Sequence, residues 1–187
     1  MAGPTQFWQG QLLLDGGKLH DSFFHRAVVL VCQHDAGGAF GLILNRPAGG
    51  KVGDAVVANL PQAVKEQPLY IGGPVQPGLL SFLHSDLFVP HANIMAELNL
   101  GHSIEALMDL SESYSTTQKL RLFAGYAGWS AGQLEQEMAR HDWLTHPATV
   151  ELVFQSNPEQ LWKEILRQQK DRALRWLADS PENPFWN

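Results

Sequence analysis

The sequence predicts an α+β fold. Strand-like apolar runs come in pairs joined by short glycine-containing turns in the first half of the chain, which is typical of antiparallel hairpins. Segments with apolar residues at helical spacing are concentrated in the second half. The strict alternation of strands and helices that marks a doubly wound parallel sheet is missing.

Chain length and composition predict a single domain over residues 1–187, with a short polar C-terminal tail at about 179–187. The chain has 187 residues, of which 44% are hydrophobic and 17% are charged, so it can bury a sizeable core. The sequence contains no internal repeat and no low-complexity linker. One domain therefore carries whatever function the protein has.

Charge and cysteine content narrow the class of protein. Thirteen Lys and Arg against 19 Asp and Glu give a net charge of −6, which disfavours non-specific binding to nucleic acid. The single cysteine, Cys32, lies in an apolar run and is expected to be an inert core thiol in a reducing compartment. No signal peptide and no apolar span of about 20 residues is evident. We therefore expect a cytoplasmic protein without a membrane partner.

In the first half of the chain, glycine-containing turn sequences indicate where the strands begin and end. Two strands are predicted for QGQLLLDG and RAVVLVCQH, and the turn DAGG then leads into AFGLILN, which predicts a hairpin. A glycine-rich loop is predicted for RPAGGKVGD, with a short helix around 55–60 after it. A second hairpin is predicted for PLYIGGPV and GLLSFLH, which are separated by QPG.

Helix signals dominate the second half. Ser103 is expected to cap a helix over SIEALMDLSESY. A strand over 120–124 is expected to meet a glycine-broken turn and then a helix, and ATVELVF predicts another strand. One long amphipathic helix is predicted for SNPEQLWKEILRQQKDRALRWLA, capped by Asn157 or Ser156.

The turn contains GWSAG, which matches the G-x-S-x-G nucleophile elbow of serine hydrolases. The alternative is a capping box, in which Ser130 caps the next helix and Gln133 reaches back. An elbow hydrolase needs an acid and then a histidine downstream, on separate strand ends. Outside the predicted helices, Asp142 and His146 are the pair in that order, and they are only four residues apart in one short connector. The spacing favours the cap, so we predict no catalytic residue, and a serine hydrolase remains the alternative.

Motifs for cofactors and metals are incomplete. NRPAGGKV and AGGAFG each lack required positions of the phosphate-binding glycine motifs. HDSFFH and HDWLTH place their histidines five residues apart, on different faces of a helix, and no cysteine pair could complete a zinc site. We therefore predict no cofactor and no metal site.

The last helix carries a basic stripe, formed by Lys163, Arg167 and Lys170. A nucleic-acid-binding regulator could use such a stripe. Pairs of opposite charge at i,i+4 spacing, such as Glu159 with Lys163, favour a solvated helix face instead.

Two strand ends suggest a ligand site. GLILNRP ends with an amide, a guanidinium and a proline, and YIGGPV contains a glycine pair. If these ends are neighbours, the glycines would let the backbone approach a ligand while Arg46 binds a carboxylate or phosphate. The alternative is two tight turns with Arg46 in a structural salt bridge. With the aromatic residues of YAGW, the predicted ligand-binding residues are Asn45, Arg46, Gly72, Gly73, Tyr126 and Trp129.

Three segments in order resemble the YqgE/AlgH family of small bacterial proteins: FFHRAVVLVCQHDAGGAFGLILNRP, LYIGGPVQPG and FAGYAGWSAGQLEQEM. The resemblance covers about residues 10–154. It implies a mainly antiparallel sheet that is curved into a pseudo-barrel and flanked by helices. In the family pattern glycine commonly stands at the position of Ser130, which suits a cap and not a nucleophile. The family has no agreed enzymatic activity, and its name suggests a role in transcriptional regulation.

Together these observations predict a non-catalytic, cytoplasmic binding or regulatory protein. Its partner would be a protein or a small molecule that occupies a cleft around Arg46, Gly72–Gly73 and Tyr126–Trp129. The hydrolase that uses Ser130 and the nucleic-acid regulator that uses the last helix are the two alternatives.

Overall fold

The structure is a computed structural model that describes residues 7–85, 93–112 and 119–181. Beyond residue 181 the predicted C-terminal tail lies outside the described residues. Within the described part the strands are β1 Gln11–Asp15, β2 Val28–Asp35, β3 Gly38–Ile43, β4 Pro47–Lys51, β5 Pro68–Ile71, β6 Val75–His84, β7 Asn99–Gly101, β8 Leu120–Ser130 and β9 Trp143–Pro147. The helices are α1 Val52–Ala55, α2 Gln62–Lys65, α3 Ile104–Glu112, α4 Gln133–Ala139, α5 Val150–Phe154, α6 Pro158–Arg167 and α7 Arg172–Asp179.

The strands form one mixed sheet in the order β4-β5-β8-β3-β2-β1-β9, and β6 pairs with both β7 and β8. Every pairing is antiparallel except that of β5 with β8. The order ends at different strands, so the sheet is open. The predicted α+β class with a mainly antiparallel sheet is confirmed, and so is the hairpin of β2 and β3.

Strand β8 organises the sheet because it is long enough to pair with three neighbours. Its first half lies between β5 and β6, and its second half pairs with β3. The predicted hairpin of β5 with β6 is therefore wrong, since the two strands lie on opposite sides of β8. The predicted turn after Ala124 is also wrong. Gly125, at φ 69°, distorts the strand without ending it.

The segment ATVELVF is helix α5 and not the predicted strand. Thr149 caps it by accepting a hydrogen bond from the Leu152 N–H at 3.2 Å. The sheet edge in this region is instead β9, which pairs along the whole of β1. The composition favours a strand, but local capping and packing of Val153 in the core decide for a helix.

The last helical segment is two helices and not one. Asn157 caps α6 as predicted, with its side chain accepting from the Glu159 N–H at 3.0 Å. The chain then breaks at 168–171, where Asp171 caps α7 by accepting from the Ala173 N–H at 2.8 Å. Arg167 pairs with Asp179 at 2.7 Å, so the two helices are joined by an ion pair as well as by packing.

Both faces of the central strands are buried. Alternate residues of β1 and β2, such as Leu12 and Leu30, pack with α6, while Leu13 and Val29 pack on the opposite face with Trp129 and Trp143. This is the period-two pattern of a strand with a core on each side. Cys32 is fully buried, and burial raises the pKa of its thiol, which agrees with the expected inert core thiol.

Candidate functional site

Asn45 fastens the end of β3 to the segment that enters β2. Its side-chain oxygen accepts from the Val28 N–H at 2.8 Å, and its amide nitrogen donates to the Arg26 carbonyl at 2.8 Å. Asn45 therefore links two segments that are distant in the sequence and does not close a local turn. Because both ends of its amide are bonded to backbone, Asn45 shapes the site more than it offers groups to a ligand.

Arg46 follows directly and is half-buried. Its Nη2 donates to the His25 carbonyl at 2.8 Å, and its guanidinium lies 5.1 Å from the centre of the Phe23 ring. Burial lowers the pKa of Arg46 from its ordinary value. Among the described residues no carboxylate pairs with Arg46 within 4.0 Å, so the expected alternative of a structural salt bridge is not observed there.

Arg46 forms part of the wall of a cavity of about 740 Å³. One side of the cavity is formed by the turns before β2 and after β3, and the other by the first turns of α6. We call it the basic cleft, and its lining residues are His25, Arg26, Asn45, Arg46, Pro158, Glu159, Gln160, Trp162 and Lys163. Three permanent cations against one carboxylate give the cleft a positive character, although the whole chain is acidic.

The start of α6 offers the basic cleft no free backbone donors. Pro158 has no N–H, the Glu159 N–H donates to the Asn157 side chain, and the Gln160 N–H donates to the Asn157 carbonyl at 3.1 Å. An anion in the basic cleft would therefore be held by side chains and not by the helix terminus.

Arg26 also faces the basic cleft, but its role is structural. Its Nη2 donates to the carbonyls of Ser180 and Pro181, each at 2.8 Å, and its guanidinium lies 5.0 Å from the centre of the Trp162 ring. Trp162 in turn donates its indole N–H to the Asp15 carbonyl at 2.9 Å. These contacts join the entry to β2, the core helix α6 and the end of α7.

The glycine pair at 72–73 does not line the basic cleft. A Cβ atom on Gly72 would lie 2.3 Å from the Gly125 carbonyl oxygen, and one on Gly73 would lie 2.1 Å from the Tyr126 carbonyl carbon. The sequence suggested that these glycines let the backbone approach a ligand. In the structure they instead let the backbone approach strand β8. The pair is required for sheet packing.

Tyr126 and Trp129 lie in another place. The Tyr126 ring stacks on Phe40 with centroids 4.7 Å apart. Trp129 is 7% exposed and donates its indole N–H to Glu137 Oε2 at 2.8 Å. Both residues line a shallow depression of about 310 Å³ together with Ser130, and Arg46 does not line it. The six predicted residues are thus divided between the basic cleft, the sheet interior and this depression, and ligand binding by them stays a prediction.

Ser130 is the last residue of β8, and the helix N-cap is Gly132, at φ 73°. The expectation that Ser130 caps the helix is wrong, but the other half of the predicted box is present, since the Ser130 N–H donates to Gln133 Oε1 at 3.0 Å. Within the described residues no histidine is hydrogen-bonded to the Ser130 hydroxyl. The arrangement of a hydrolase triad is therefore not observed in this part of the chain.

The histidines have separate partners. His34 Nδ1 accepts from the Trp8 N–H at 3.1 Å, so its Nε2 carries the proton and donates to Glu135 at 3.2 Å. His102 Nδ1 lies 3.0 Å from the Ser81 hydroxyl, and burial lowers the pKa of His102. In the described ranges no three His, Cys, Asp or Glu side chains converge as metal ligands would.

The predicted basic stripe is not carried by one helix. Lys163 lines the basic cleft on α6, Arg167 is paired with Asp179, and Lys170 lies in the break between α6 and α7. None of the helices in the described part is long and apolar enough to cross a membrane.

Sequence reasoning missed two acidic residues that organise this region. Asp15 is fully buried and accepts from the backbone N–H groups of four residues: Gly17, Lys18, Leu19 and Arg26. Glu137 accepts from the indoles of both Trp129 and Trp143, each at 2.8 Å. The aspartate before a glycine pair in LLLDGG was an available signal for a turn, whereas the partners of Glu137 depend on the fold.

Comparisons with known proteins agree with the resemblance found in the sequence. A family model described as AlgH-like matches residues 12–173. A UPF0301 protein of Chlorobium luteolum is 38% identical over 181 residues, covering 95% of this chain and 94% of that protein. A UPF0301 protein of Chlamydia felis is 34% identical over 183 residues, covering 96% and 95%. The solution structure of the AlgH protein from Pseudomonas aeruginosa is similar with a TM-score of 0.74 at 27% identity, covering 97% and 98%.

Proposed function

Because this chain belongs to the AlgH-like family, for which no biochemical activity is established, we propose a function from its own geometry. The protein is a non-catalytic cytoplasmic binding protein that holds an acidic group of its ligand in the basic cleft. The acid belongs to a small molecule or to a side chain of a protein partner. Binding serves a regulatory role, and a part in transcription is suggested only by the family resemblance.

The half-buried guanidinium of Arg46 is the observation that carries this proposal. Removing a cation from water is unfavourable unless an opposite charge or hydrogen bonds replace the solvent. Among the described residues the Arg46 guanidinium makes one hydrogen bond, to the His25 carbonyl, and it pairs with no carboxylate. A carboxylate or phosphate in the basic cleft would supply the missing partner through the remaining N–H groups.

The distribution of charge supports an acidic ligand over a cationic one. Arg26, Arg46 and Lys163 line the basic cleft, and the only acidic residue among its lining residues is the exposed Glu159. Lys163 is partly exposed and forms no ion pair within the described part of the chain. Both Arg46 and Lys163 therefore remain available to an acid that enters from solvent.

The volume of the cleft supports a small ligand or a single inserted side chain. At about 740 Å³ it lies in the range of small-molecule sites. Extended contact with nucleic acid would need several exposed cations on one face, and the three basic residues predicted for that purpose do not share one helix. A nucleic-acid-binding regulator is therefore the weaker hypothesis.

Titration calorimetry with inorganic phosphate and with citrate tests the proposal. Arg46→Gln should weaken binding of either anion by about tenfold or more, since a charge-assisted hydrogen bond contributes roughly 1.5–3 kcal/mol. Arg46→Lys, which keeps the charge but not the forked geometry, should give an intermediate loss. Added salt should weaken binding to the wild-type protein.

Arg175→Gln is the matched control. Arg175 is exposed on α7, outside the basic cleft, and its substitution removes the same charge. Circular dichroism should show that all variants are folded. Equal affinity of the wild type, Arg46→Gln and Arg175→Gln for both anions would reject the proposed function, and so would an equal loss in the two glutamine variants.

A further inference from the structure

A second cavity, of about 240 Å³, adjoins the basic cleft. We call it the side pocket, and its lining residues are Asp15, Gly17, His20, His25, Arg26, Trp162, Leu177, Ser180 and Pro181. His25, Arg26 and Trp162 line both cavities, so the two share one wall.

The side pocket differs in character from the basic cleft. Trp162, Leu177 and Pro181 give it apolar walls, and the rings of His20 and His25, with centroids 5.4 Å apart, add flat aromatic surface. A cavity of about 150 Å³ is large enough for benzene. The side pocket can therefore accept one six-membered ring or an apolar group of similar size.

The charged residues that line the two cavities determine which cavity receives the acidic end of a ligand. The Asp15 carboxylate belongs to the side pocket, and its oxygens are already occupied by backbone N–H groups. It would repel an anion. Arg26 lines both cavities, and in the side pocket the Asp15 carboxylate offsets its charge. Arg46 and Lys163 line only the basic cleft, so an acidic group is better stabilised there than in the side pocket.

We propose that the ligand is an aryl acid, in which one carboxylate or phosphate binds at Arg46 and a directly attached ring occupies the side pocket. This inference rests on the proposed function and narrows it to a class of ligand. His25 lies between the two subsites, with its Nδ1 3.6 Å from Asp15 Oδ2. Because His25 lines both cavities, a ligand that occupies both would contact its ring.

Phenyl phosphate, inorganic phosphate and phenol are the three compounds that test the inference by calorimetry. Phenyl phosphate should bind the wild-type protein at least about tenfold more tightly than inorganic phosphate, because burial of the ring adds apolar contact. Phenol alone should bind weakly. Arg46→Gln should weaken phenyl phosphate and inorganic phosphate alike.

Two variants address the side pocket without touching Arg46. His20→Ala removes an exposed ring at the side pocket, and Leu177→Phe reduces the room inside it. Each should lower the preference for phenyl phosphate over inorganic phosphate by about threefold or more and leave the affinity for inorganic phosphate unchanged. His20→Ala keeps the test decisive if Leu177→Phe does not fold, because His20 is at the surface.

The outcomes separate the two proposals. If inorganic phosphate responds to Arg46→Gln but phenyl phosphate binds no more tightly than phosphate, the aryl acid is rejected and the proposed function stands. The aryl acid is also rejected if the phenyl preference survives both side-pocket substitutions. If neither compound responds to Arg46→Gln, the proposed function fails and the aryl acid fails with it.

Discussion

Glu137 shows how a single side chain can decide the role of two aromatic residues. Its Oε2 accepts from the indole N–H groups of Trp129 and Trp143, and its Oε1 accepts from Gln133 at 2.9 Å. A buried indole without an acceptor is unfavourable. Trp129 therefore directs its N–H at Glu137 and is 7% exposed, so only a small part of it reaches the shallow depression on the sheet.

We predict that Glu137→Ala destabilises the protein by about 2–4 kcal/mol, because two nearly buried indole donors lose a charged acceptor. Glu137→Gln, which keeps one acceptor oxygen, should be less harmful. Urea unfolding followed by tryptophan fluorescence measures both. A loss below about 0.5 kcal/mol for Glu137→Ala would show that the indoles find water or another acceptor.

Arg46 illustrates the limit of prediction at this scale. Its chemistry, a forked cation suited to an acid, follows from the residue type and was recognised in the sequence. The residues that surround Arg46 in space cannot be predicted from the sequence. Lys163 comes from a helix more than a hundred positions later, and only the folded chain brings that helix to the same cleft.

Elements whose ends carry strong local signals were predicted from the sequence. The β2–β3 hairpin has its turn residues, α3 has Ser103 bonded to the Ala106 N–H at 3.0 Å, and α6 has Asn157 at its start. Elements whose structure depends on residues far away in the sequence were not predicted. Strand β8 contains four glycine and alanine residues from Ala124 to Gly128, a weak strand signal, yet it pairs on both sides because its small residues admit close backbones.

The start of α4 gives a test of the corrected cap. We predict that Ser130→Ala changes the free energy of unfolding by less than about 0.5 kcal/mol, since the Ser130 hydroxyl does not cap the helix. Gln133→Ala should cost about 1 kcal/mol or more, because it removes the bonds to the Ser130 N–H and to Glu137. Chemical denaturation of the two variants measures the difference. The reverse order would restore Ser130 as the cap.

At the scale of the whole molecule, the sheet has a core on both faces, and the basic cleft lies beside the sheet. The basic cleft is built from three separate stretches of chain: His25–Arg26, Asn45–Arg46 and the start of α6. Arg121, which is 7% exposed, donates to the Leu44 and Phe154 carbonyls at 3.3 and 3.5 Å. It thus links the chain segments that lead into two walls of the cleft.

The protein should become less stable as the pH falls below about 6.5. Burial lowers the pKa values of His25, His102 and His146 below 6.5, their ordinary value. The unfolded chain then binds more protons than the folded chain, so stability is full above about pH 6.5 and falls as pH decreases through the depressed folded values. Urea midpoints at several pH values should show this fall.

His102→Gln should reduce the fall, because it removes one of the three groups. A variant whose midpoint follows the same pH curve as the wild type would show that His102 is solvated in the folded protein and contributes nothing to the effect.

The Arg46 side-chain Nε–Hε resonance, followed by NMR while phosphate is added, tests the binding account most directly. We predict that this signal shifts progressively to saturation and that its exchange with water slows, because an acid bonded to the guanidinium protects the proton. An Arg46 signal that stays unchanged, while the resonances of Tyr126 and Trp129 shift instead, would contradict the account and place the site in the shallow depression on the sheet.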